Sequence, residues 1–500
     1  MNIFDRAVAL VSPERALARQ RARAALAAME RYEAARANRR TRGWATPSTD
    51  ATTATRGDLH RLRDVSRDLV RNNAWAQRGV SVVANNTIGA GIIPQVRQGD
   101  GAPHEELEAL ARAWADTTAC DADGRHDLYG LQLQAMRCIV ESGEVLIRRR
   151  WRRGADGLAL PMQLQVLEPD HLDPSADGAR GARNVVQGVE FDAIGRRVAY
   201  FVRETHPGSF GRHATSRRIP AEEIIHVYRV DRPGQVRGVP WLAPIALRLN
   251  DFRDYEDAQL VRQKIAACYA AFVHMPIDVE AITDAPAGAD LGGEAGSLQQ
   301  SFEPGMIERL PPGWQVQIAN PPKVDGYTDY TAVTLRAIAA GLGVSYEALS
   351  GDLSQVNFSS ARMGWLEFQR NIDVWRWGML APTMLNRLGA WFLEASSQVL
   401  GPSADAQVVW TPPRREMVNP ADEVPALVDM IRAGFTSRSE IIRSYGYDPT
   451  TVMDEIEADT RDEARRGLAF ETSVGGRSPA ATAPSPAPTA PPAPDSGNPE

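Results

Sequence analysis

The sequence has few cysteines, almost no lysine and no long apolar run. Three cysteines, Cys120, Cys138 and Cys268, form neither a CxxC pair nor an even disulfide framework, which favours a reducing compartment. No apolar run reaches the ~18–20 residues of a membrane span, and no signal-peptide pattern is present. Only Lys264 and Lys323 accompany 54 arginines, which points to a GC-rich coding sequence and says little about function.

The common signatures of catalysis and cofactor binding are also missing. The eight histidines show no HxxxH or HExxH spacing, and neither GxxxxGK[ST] nor GxSxG occurs. The stretch IGAGIIP (88–94) lacks the third glycine of the dinucleotide fingerprint. Segment 168–177, with Asp170, His171 and Asp173, allows a metal site, but a turn is the preferred interpretation because turns favour Asp, Pro and Ser. The sequence predicts no catalytic residue, metal or cofactor.

Length and charge describe a multidomain protein that does not grip nucleic acid along its whole surface. Five hundred residues exceed what one core usually accommodates, and 43% hydrophobic with 24% charged residues is a globular composition. The net charge is −7, but residues 1–43 hold ten arginines against four acidic residues, so the remainder carries about −13. The basic arm has two interpretations, a contact with nucleic acid or a partner, and a solvated helix.

Hydrophobic periodicity predicts an α+β first half. One helix is expected from Asp58 to the NNTIGAG stretch, and Asp127 is a plausible N-cap. Further helices are predicted at 105–118 and 127–141, and strands at 143–151, 162–172, 185–204 (with a turn at Gly195) and 223–230. A helix of about 30 residues (241–273) follows. A Pro- and Gly-rich lobe (274–322) comes next, with short strands in GMIERL and WQVQIA.

The second half is predicted to be mainly helical. A helix at 327–342 precedes a polar loop, and a long helix runs from Ser359 or Ser360 to about 396, where Pro382 should kink or break it. A strand is predicted at 407–413, followed by three short helices. The last of these helices has an acidic face, which phosphates would repel, so a DNA-reading helix-turn-helix is disfavoured. The last 22 residues contain eight prolines. The long helix carries an aromatic stripe that favours a buried or intersubunit position: Trp365, Phe368, Trp375, Trp377, Trp391 and Phe392.

An ordered set of motifs resembles the lambda family of tailed-phage portal proteins over about residues 58–470. The motifs are RNNAWAQRGVSVVANNTIGAGIIPQ (71–95), CDADGRHDLYGLQ (120–132), SGEVLIRRR (142–150), LQVLEPDHLD (164–173), IPAEEIIHVYRVDRPGQVRGVPWLAP (219–244) and LGVSYEALSGDLSQVNFSSARMGWLEFQR (342–370). Each is weak alone, and their order makes the resemblance specific.

The resemblance implies an α+β multi-domain portal fold assembled as a cyclic ring of about twelve subunits. On this chain it implies a basic arm and linker (1–57), an α+β wing (58–240), a first stem helix (241–273), a small α/β clip (274–322), a second stem helix (323–343), a tunnel loop (344–358), a long kinked helix with a returning wing strand (359–416), a helical crown (417–470) and a disordered Pro-rich tail (471–500).

The resemblance further implies a structural role at one capsid vertex, without catalysis. Double-stranded DNA would pass through the ring during packaging and ejection. The implied partners are other copies of the chain, the terminase large subunit, the major capsid and scaffold proteins and a head–tail completion protein, with no membrane. The implied location is the virion, after assembly in the host cytoplasm. Two other classes stay open: a head–tail adaptor, and a DNA-processing hydrolase of a phage or gene-transfer particle.

The implied tunnel loop has short neutral or acidic residues, which touch a moving duplex without holding it, because each neutralised phosphate adds affinity. These residues are Ser350, Gly351, Asp352, Ser354, Gln355 and Asn357. Arg262 and Lys264 on the first stem helix are candidates for weak DNA contacts, and equally for ion pairs with a neighbouring subunit. Leu366 and Trp375 are expected to pack between subunits.

Overall fold

The computed structural model describes residues 14, 39, 42–43, 47–99, 101–102, 104–180, 183–209, 215–267, 271–274, 315–318, 326–354, 358–413, 417, 419–447 and 449–468. Two units are distinguished by their internal contacts, Met1–Ala54 and Thr55–Glu500. The predicted strand GMIERL, the basic arm before residue 47 (apart from four positions) and the Pro-rich tail fall outside the described residues.

The described helices agree with an α+β chain. In order they are α1 (Ala51–Arg56), α2 (Leu59–Asn72), α3 (Ala74–Ile88), α4 (Glu105–Ala115), α5 (Leu128–Ser142), α6 (Ala246–Ala267), α7 (Tyr327–Leu342), α8 (Tyr346–Ser350), α9 (Phe358–Asp373), a π-helical segment (Val374–Leu385), α10 (Asn386–Leu400), α11 (Pro420–Arg432), α12 (Arg438–Ser444) and α13 (Pro449–Arg466).

The strands are β1 (Ile93–Arg97), β2 (Glu144–Trp151), β3 (Met162–Leu167), β4 (Gly178–Arg180), β5 (Arg183–Val186), β6 (Val189–Phe191), β7 (Arg197–Arg203), β8 (Ser216–Pro220), β9 (Ile224–Tyr228), β10 (Ala271–His274), β11 (Gln315–Ile318) and β12 (Gln407–Thr411). They form sheets β3-β2-β9, β4-β5-β6-β7-β8, β1-β12 and β10-β11, with antiparallel pairing throughout. The sequence did not predict β1, β4 or β8.

Two main buried clusters, beside a third of only three residues, hold these elements together. The larger one joins α3, α5, β2, the start of α6 and the long helix, and contains Trp241, Phe252 and Phe368. The smaller one lies between the three-stranded and five-stranded sheets, with Leu146 and Ile224 on one side and Tyr200 and Val202 on the other. Successive residues of β2 and β9 point to opposite faces, so Leu146 and Ile224 face the five-stranded sheet while Val145 and Ile225 belong to the larger cluster, and the three-stranded sheet is buried on both faces.

The predicted single helix from Asp58 is two helices, and Asn73 is the reason. The Asn73 backbone is extended (φ −125°, ψ 117°), which interrupts the helical path after α2. Its side-chain oxygen accepts from the backbone N–H of Trp75 and of Ala76, and so caps the start of α3. An asparagine within a helical pattern thus starts a new helix here.

The predicted long helix continues through Pro382 without a break. Pro382 has no N–H to donate, and the backbone is π-helical from Val374 to Leu385, so the chain passes from α9 to α10 as one helical path ending at Leu400. Arg376 in this segment donates to the carbonyl oxygens of Asn86 (2.7 Å) and Thr87 (2.6 Å), at the end of α3. These bonds fasten the long helix to the N-terminal half of the fold.

The predicted first stem helix is too long at its C-terminal end. Helix α6 ends at Ala267, and Ala271–His274, predicted to be helical, pairs as strand β10 with Gln315–Ile318. The second strand lies within the predicted WQVQIA. The predicted helix at 327–342 is confirmed as α7, and Gly343 (φ 73°) ends it. Asp127 caps α5 as predicted, by accepting from Gly130 N at 2.7 Å.

Candidate functional site

The predicted tunnel loop is partly helical. Within 344–358, residues Tyr346–Ser350 form α8, which begins because the Ser345 side chain accepts from Ala348 N at 3.2 Å. Leu349 of this helix is buried in the main core. The prediction of a loop over the whole of 344–358 is therefore wrong for its first half.

A polar tip of four described residues follows α8. Gly351 ends the helix with a φ of 72°, and Asp352 accepts from Ser354 N (2.9 Å) and from the Tyr346 hydroxyl (3.2 Å). Hydrogen bonds from Ser354 hold the pKa of the exposed Asp352 carboxyl below its ordinary value, so the tip carries a negative charge at neutral pH. Ser350 is half-buried, and its hydroxyl donates to Tyr346 O. Gln355 and Asn357 lie outside the described residues.

Large apolar side chains are exposed in the tip and on α6, α7, α9 and the π-helical segment. Leu366 is 46% exposed in α9, and Leu353 in the tip is 67% exposed. The other members on α6, α7, α9 and the π-helical segment are Leu247, Leu260, Val261, Tyr327, Tyr330, Val333, Met363, Val374 and Trp377. Where such side chains adjoin one another, they form the kind of apolar surface that another protein covers.

Trp375 belongs to the interior of the subunit itself. Only 8% of it is exposed, and its indole packs against Trp241 (centroids 5.1 Å apart) and Phe368 (6.3 Å). The expectation that Trp375 packs between subunits is therefore wrong, since its own chain covers it. Most of the aromatic stripe is likewise buried within the chain, whereas Leu366 and Trp377 remain exposed.

Helix α6 carries charges of both signs in separate zones. Its first half is acidic, with Asp251, Asp254, Glu256 and Asp257 against Arg248 and Arg253, and its second half has Arg262 and Lys264. Arg262 is half-buried and Lys264 is exposed. Among the described residues, neither side chain contacts the polar tip.

The acidic segment 168–177 forms turns, as predicted. Single 3-10 turns cover Pro169–His171 and Pro174–Ala176, and Asp173 caps the second by accepting from Ser175 N at 3.0 Å. The Nδ1 atom of His171 lies 2.9 Å from Arg203 O. These bonds give Asp173 and His171 structural partners.

One carboxylate–histidine group in the described residues has the spacing of a cation site. Ligand atoms of Glu168, Asp170 and His206 lie within 4.8 Å of one another. Arg67 already binds the two carboxylates, with Nη2 at 3.2 Å from Glu168 and at 2.5 Å from Asp170. A guanidinium therefore supplies the positive charge that a metal ion would bring.

A buried charged cluster around Glu144 was not predicted from the sequence. Glu144 is fully buried at the start of β2, and its Oε1 accepts from Arg63 and from Arg237 Nε (2.7 Å). Its Oε2 accepts from Gly238 N at 2.8 Å and from His226 Nε2 at 2.8 Å. Four hydrogen bonds thus saturate one carboxylate with groups from α2, β9 and the segment after β9.

Burial and neighbouring charges set the protonation states in this cluster. Burial alone raises the pKa of the Glu144 carboxyl, but Arg237, Arg63 and His226 outweigh it and hold that pKa well below its ordinary value. Burial lowers the pKa of His226 and lowers the pKa of Arg63 to about 10. His226 Nδ1 is buried without a partner among the described residues, as suits a neutral ring protonated on Nε2.

The sequence matches the family model described as "Phage portal protein, lambda family" over residues 37–376. The probable portal protein of Halomonas phage phiHAP-1 is 28% identical over 433 residues, which cover 82% of each chain. The portal protein of Escherichia phage N15 is 26% identical over 353 residues, covering 64% of this chain and 66% of that protein. Portal protein B of Escherichia phage lambda is 25% identical over 354 residues, with the same two shares.

Among solved structures, chains of gene transfer agent particles are similar to this one. The neck of a native particle has a TM-score of 0.46 at 18% identity, covering 81% of this chain and 97% of that one. The neck of an empty particle has a TM-score of 0.45 at 19% identity, covering 78% and 94%. None of the described helices is long and apolar enough to cross a membrane.

Proposed function

Because this chain belongs to the lambda family of phage portal proteins, we propose that about twelve copies form a ring at one capsid vertex, through which double-stranded DNA passes during packaging and ejection. The observation that carries the ring is the exposed apolar surface on α6, α7, α9 and the π-helical segment. In a closed ring, each subunit covers this surface of its neighbour by a heterologous contact.

Within this ring, we assign the described elements to the parts of a portal subunit. The wing contains α2 to β9, with β1 completed by β12. Helices α6 and α7 form the stem, and the β10–β11 pair belongs to the clip. Helices α11 to α13 form the crown, and the long helix from α9 to α10 runs behind the tunnel loop. The exposed tip Gly351–Ser354 is the part of that loop that meets the channel.

Weak contact with DNA is the electrostatic requirement of such a channel. A duplex moves past the wall only if phosphates are not held, since each neutralised phosphate adds affinity by counterion release. Asp352 at the tip is negatively charged, and the chain beyond residue 43 carries about −13. We propose that Arg262 and Lys264 on α6 make weak DNA contacts or pair with acidic residues of the next subunit.

The proposed partners follow from the position at the vertex. The terminase large subunit docks on the clip and drives packaging with its own ATP hydrolysis. The major capsid and scaffold proteins surround the wing, and a head–tail completion protein replaces the terminase after packaging. The subunit assembles in the host cytoplasm and remains in the virion, with a structural role and no catalysis of its own.

The mass and shape of the purified protein test this proposal. Light scattering is expected to give a particle of about twelve subunits, and negative-stain images a ring with a central hole. A particle that stays monomeric or dimeric, even when scaffold protein is added, contradicts the ring.

A DNA-processing hydrolase is the competing function, and the Glu168–Asp170–His206 group is where its metal ion would bind. Incubation of the purified protein with plasmid DNA and Mg²⁺ or Mn²⁺ separates the two functions. We expect the plasmid to stay intact. Cleavage that disappears in His206→Ala and persists in the surface variant His60→Ala would establish the hydrolase instead.

A further inference from the structure

A pocket of about 260 Å³ lies beside the buried Glu144 cluster, and its lining is strongly basic. Among the described residues of the lining, Asp170 is the acidic one. The basic ones are Arg56, His60, Arg63, Arg203 and Arg237. Arg63 and Arg237 are buried at the inner end, whereas Arg56 and His60 are exposed at the mouth.

The buried part of this pocket has more positive than negative charge. Arg63 and Arg237 share the single carboxylate of Glu144. The Asp170 carboxylate is bound by Arg67, which is not part of the lining. Because an uncompensated buried charge is costly, a further anion in the pocket would stabilise the arrangement.

Donors for such an anion are available on the lining arginines. Arg63 uses Nε for Ser142 O (3.3 Å) and Nη2 for Glu144, and Arg203 uses Nη2 for Asp173 (2.6 Å). A guanidinium has five N–H donors in total, so both side chains retain donors beyond these bonds. Arg56 pairs with Asp177 and Arg203 with Asp173, so the excess positive charge is confined to the inner end, where Arg63 and Arg237 share Glu144. The pocket combines this charge with hydrogen-bonding capacity for oxyanions.

Gln187 supplies a second, independent observation. It lines the pocket, only 3% of it is exposed, and its Oε1 atom has no hydrogen-bond partner among the described residues. A buried polar atom without a partner is unfavourable, so a ligand or water with an O–H donor fits this position.

The backbone at Gln187 makes the choice of this residue unusual. Gln187 and Gly188 form the two-residue turn between β5 and β6, with φ values of 50° and 81°. Hairpin turns with two positive φ values favour Asn, Asp or Gly at the first position. The turn geometry thus does not explain a glutamine at this position, whereas a ligand that binds its side-chain amide would explain it.

We propose that this pocket binds inorganic phosphate in a protonated form. Phosphate oxygens accept from Arg63, Arg203 and Arg56, and the remaining P–OH group donates to Gln187 Oε1. Sulfate has the same shape but no hydroxyl group at neutral pH, and a phosphodiester has none either. All of the described lining residues belong to one subunit, so the site does not depend on the ring.

Calorimetric titration of the full-length protein with sodium phosphate and with sodium sulfate at pH 7 tests the site. We expect phosphate to bind at least about tenfold tighter than sulfate, because only phosphate satisfies Gln187. Equal affinities for the two anions, or no measurable binding of phosphate, would overturn the proposal. A dinucleotide phosphodiester distinguishes the phosphate of DNA from the free ion, and it is expected not to bind.

Two variants and a matched control locate the binding. Gln187→Gly keeps the turn, because glycine adopts a positive φ freely, and it should lower phosphate affinity about tenfold, to the level of sulfate. Arg56→Gln should weaken both anions. Arg196→Gln removes another exposed arginine that pairs with one aspartate, away from the pocket, and should change neither. Unchanged phosphate binding in Gln187→Gly would refute the role of the amide.

Discussion

Glu144 compensates the charge of two buried arginines, so its removal tests how far the fold depends on one carboxylate. We expect Glu144→Gln to lower the free energy of unfolding by about 3–5 kcal/mol, because Arg63 and Arg237 lose their counter-charge while still buried. Urea unfolding followed by tryptophan fluorescence, at fixed protein concentration, measures this loss.

The matched control is a glutamate of an exposed ion pair. Glu440 pairs with Arg443 at 3.0 Å one turn along α12, and both side chains are about half exposed. Glu440→Gln should change the free energy of unfolding by no more than about 0.5 kcal/mol. Equal losses in the two variants would show that the buried cluster contributes nothing beyond a surface pair.

The same cluster predicts how stability depends on pH. His226 and Glu144 both have a lower pKa in the folded chain than in the unfolded chain. Below pH about 6.5 the unfolded chain binds a proton at His226 that the folded chain rejects, and below pH about 4.5 the same holds for Glu144. Stability should therefore fall as the pH decreases, by up to about 1.4 kcal/mol per pH unit for each group.

Unfolding midpoints in urea between pH 7 and 5 isolate the histidine. The wild-type free energy of unfolding should decrease as the pH falls across this interval. In His226→Gln the slope of this decrease should be smaller by up to about 1.4 kcal/mol per pH unit, which corresponds to one proton. His60→Gln is the control, because His60 is an exposed histidine that pairs with Asp64 on the surface. An identical slope in wild type and His226→Gln would contradict a lowered pKa at His226.

At single residues, the sequence reveals a role only where the partner of the side chain lies close by along the chain. Asp127 is recognisable as a cap because its partner, Gly130 N, is three residues away. Glu144 is not recognisable, because its partners Arg63, His226 and Arg237 lie about 80 to 95 residues away along the chain. Gln187 is hidden for a related reason, since only the folded turn shows that its amide is buried.

The long helix has a buried and an exposed side, and one substitution on each should act differently. Trp375→Ala should lower the free energy of unfolding of the subunit by about 3–5 kcal/mol, since it leaves a cavity next to Trp241 and Phe368. Leu366→Ser should change subunit stability by less than about 0.5 kcal/mol but weaken ring association, because this side chain is exposed within one chain.

Sedimentation velocity over a concentration series, with urea unfolding of the dissociated subunit, separates these two effects. Leu247→Ser makes the same test on α6, where Leu247 is also exposed within one chain. Normal ring association of Leu366→Ser would place the subunit interface elsewhere.

The tunnel tip is expected to be dispensable for the ring and needed for packaging. Deletion of residues 351–356 leaves α8 and the body of α9 in place, so rings should form with normal mass. Packaging of full-length DNA in vitro by equal amounts of ring should fail, because the channel has lost the residues that contact the duplex. Normal packaging by the deletion variant would show that the tip has no such role.

Elements were predictable where apolar spacing and breakers agree, as in α7 with its terminal glycine. Prediction failed where a side chain or a backbone change overrides the pattern. Asn73 starts a new helix inside a continuous helical pattern of apolar residues, and the π-helical backbone accommodates Pro382. The residues of β10 lie in a helical pattern, and their partner strand β11 is more than forty residues later. Such pairing is invisible to a local window.

At the scale of the whole molecule, the sequence predicted the α+β class and, through its ordered motifs, the family. It did not predict how the sheets are completed, because strand order depends on distant partners. The five-stranded sheet needs β8, which the sequence pattern missed, and β1 is recognisable as a strand only beside β12. Composition alone also could not tell which apolar helix faces the chain itself covers.

The pairing of β1 with β12 also sets a timetable for synthesis. Ile93 pairs with Thr411, which the ribosome adds 318 residues later. At about 5–20 residues per second, this interval lasts roughly 16 to 64 s. Throughout it the nascent chain presents the unpaired edge of β1, to which another chain can add a strand. A nascent chain released before residue 411 therefore cannot complete its wing, and binding by a chaperone during translation would protect this edge.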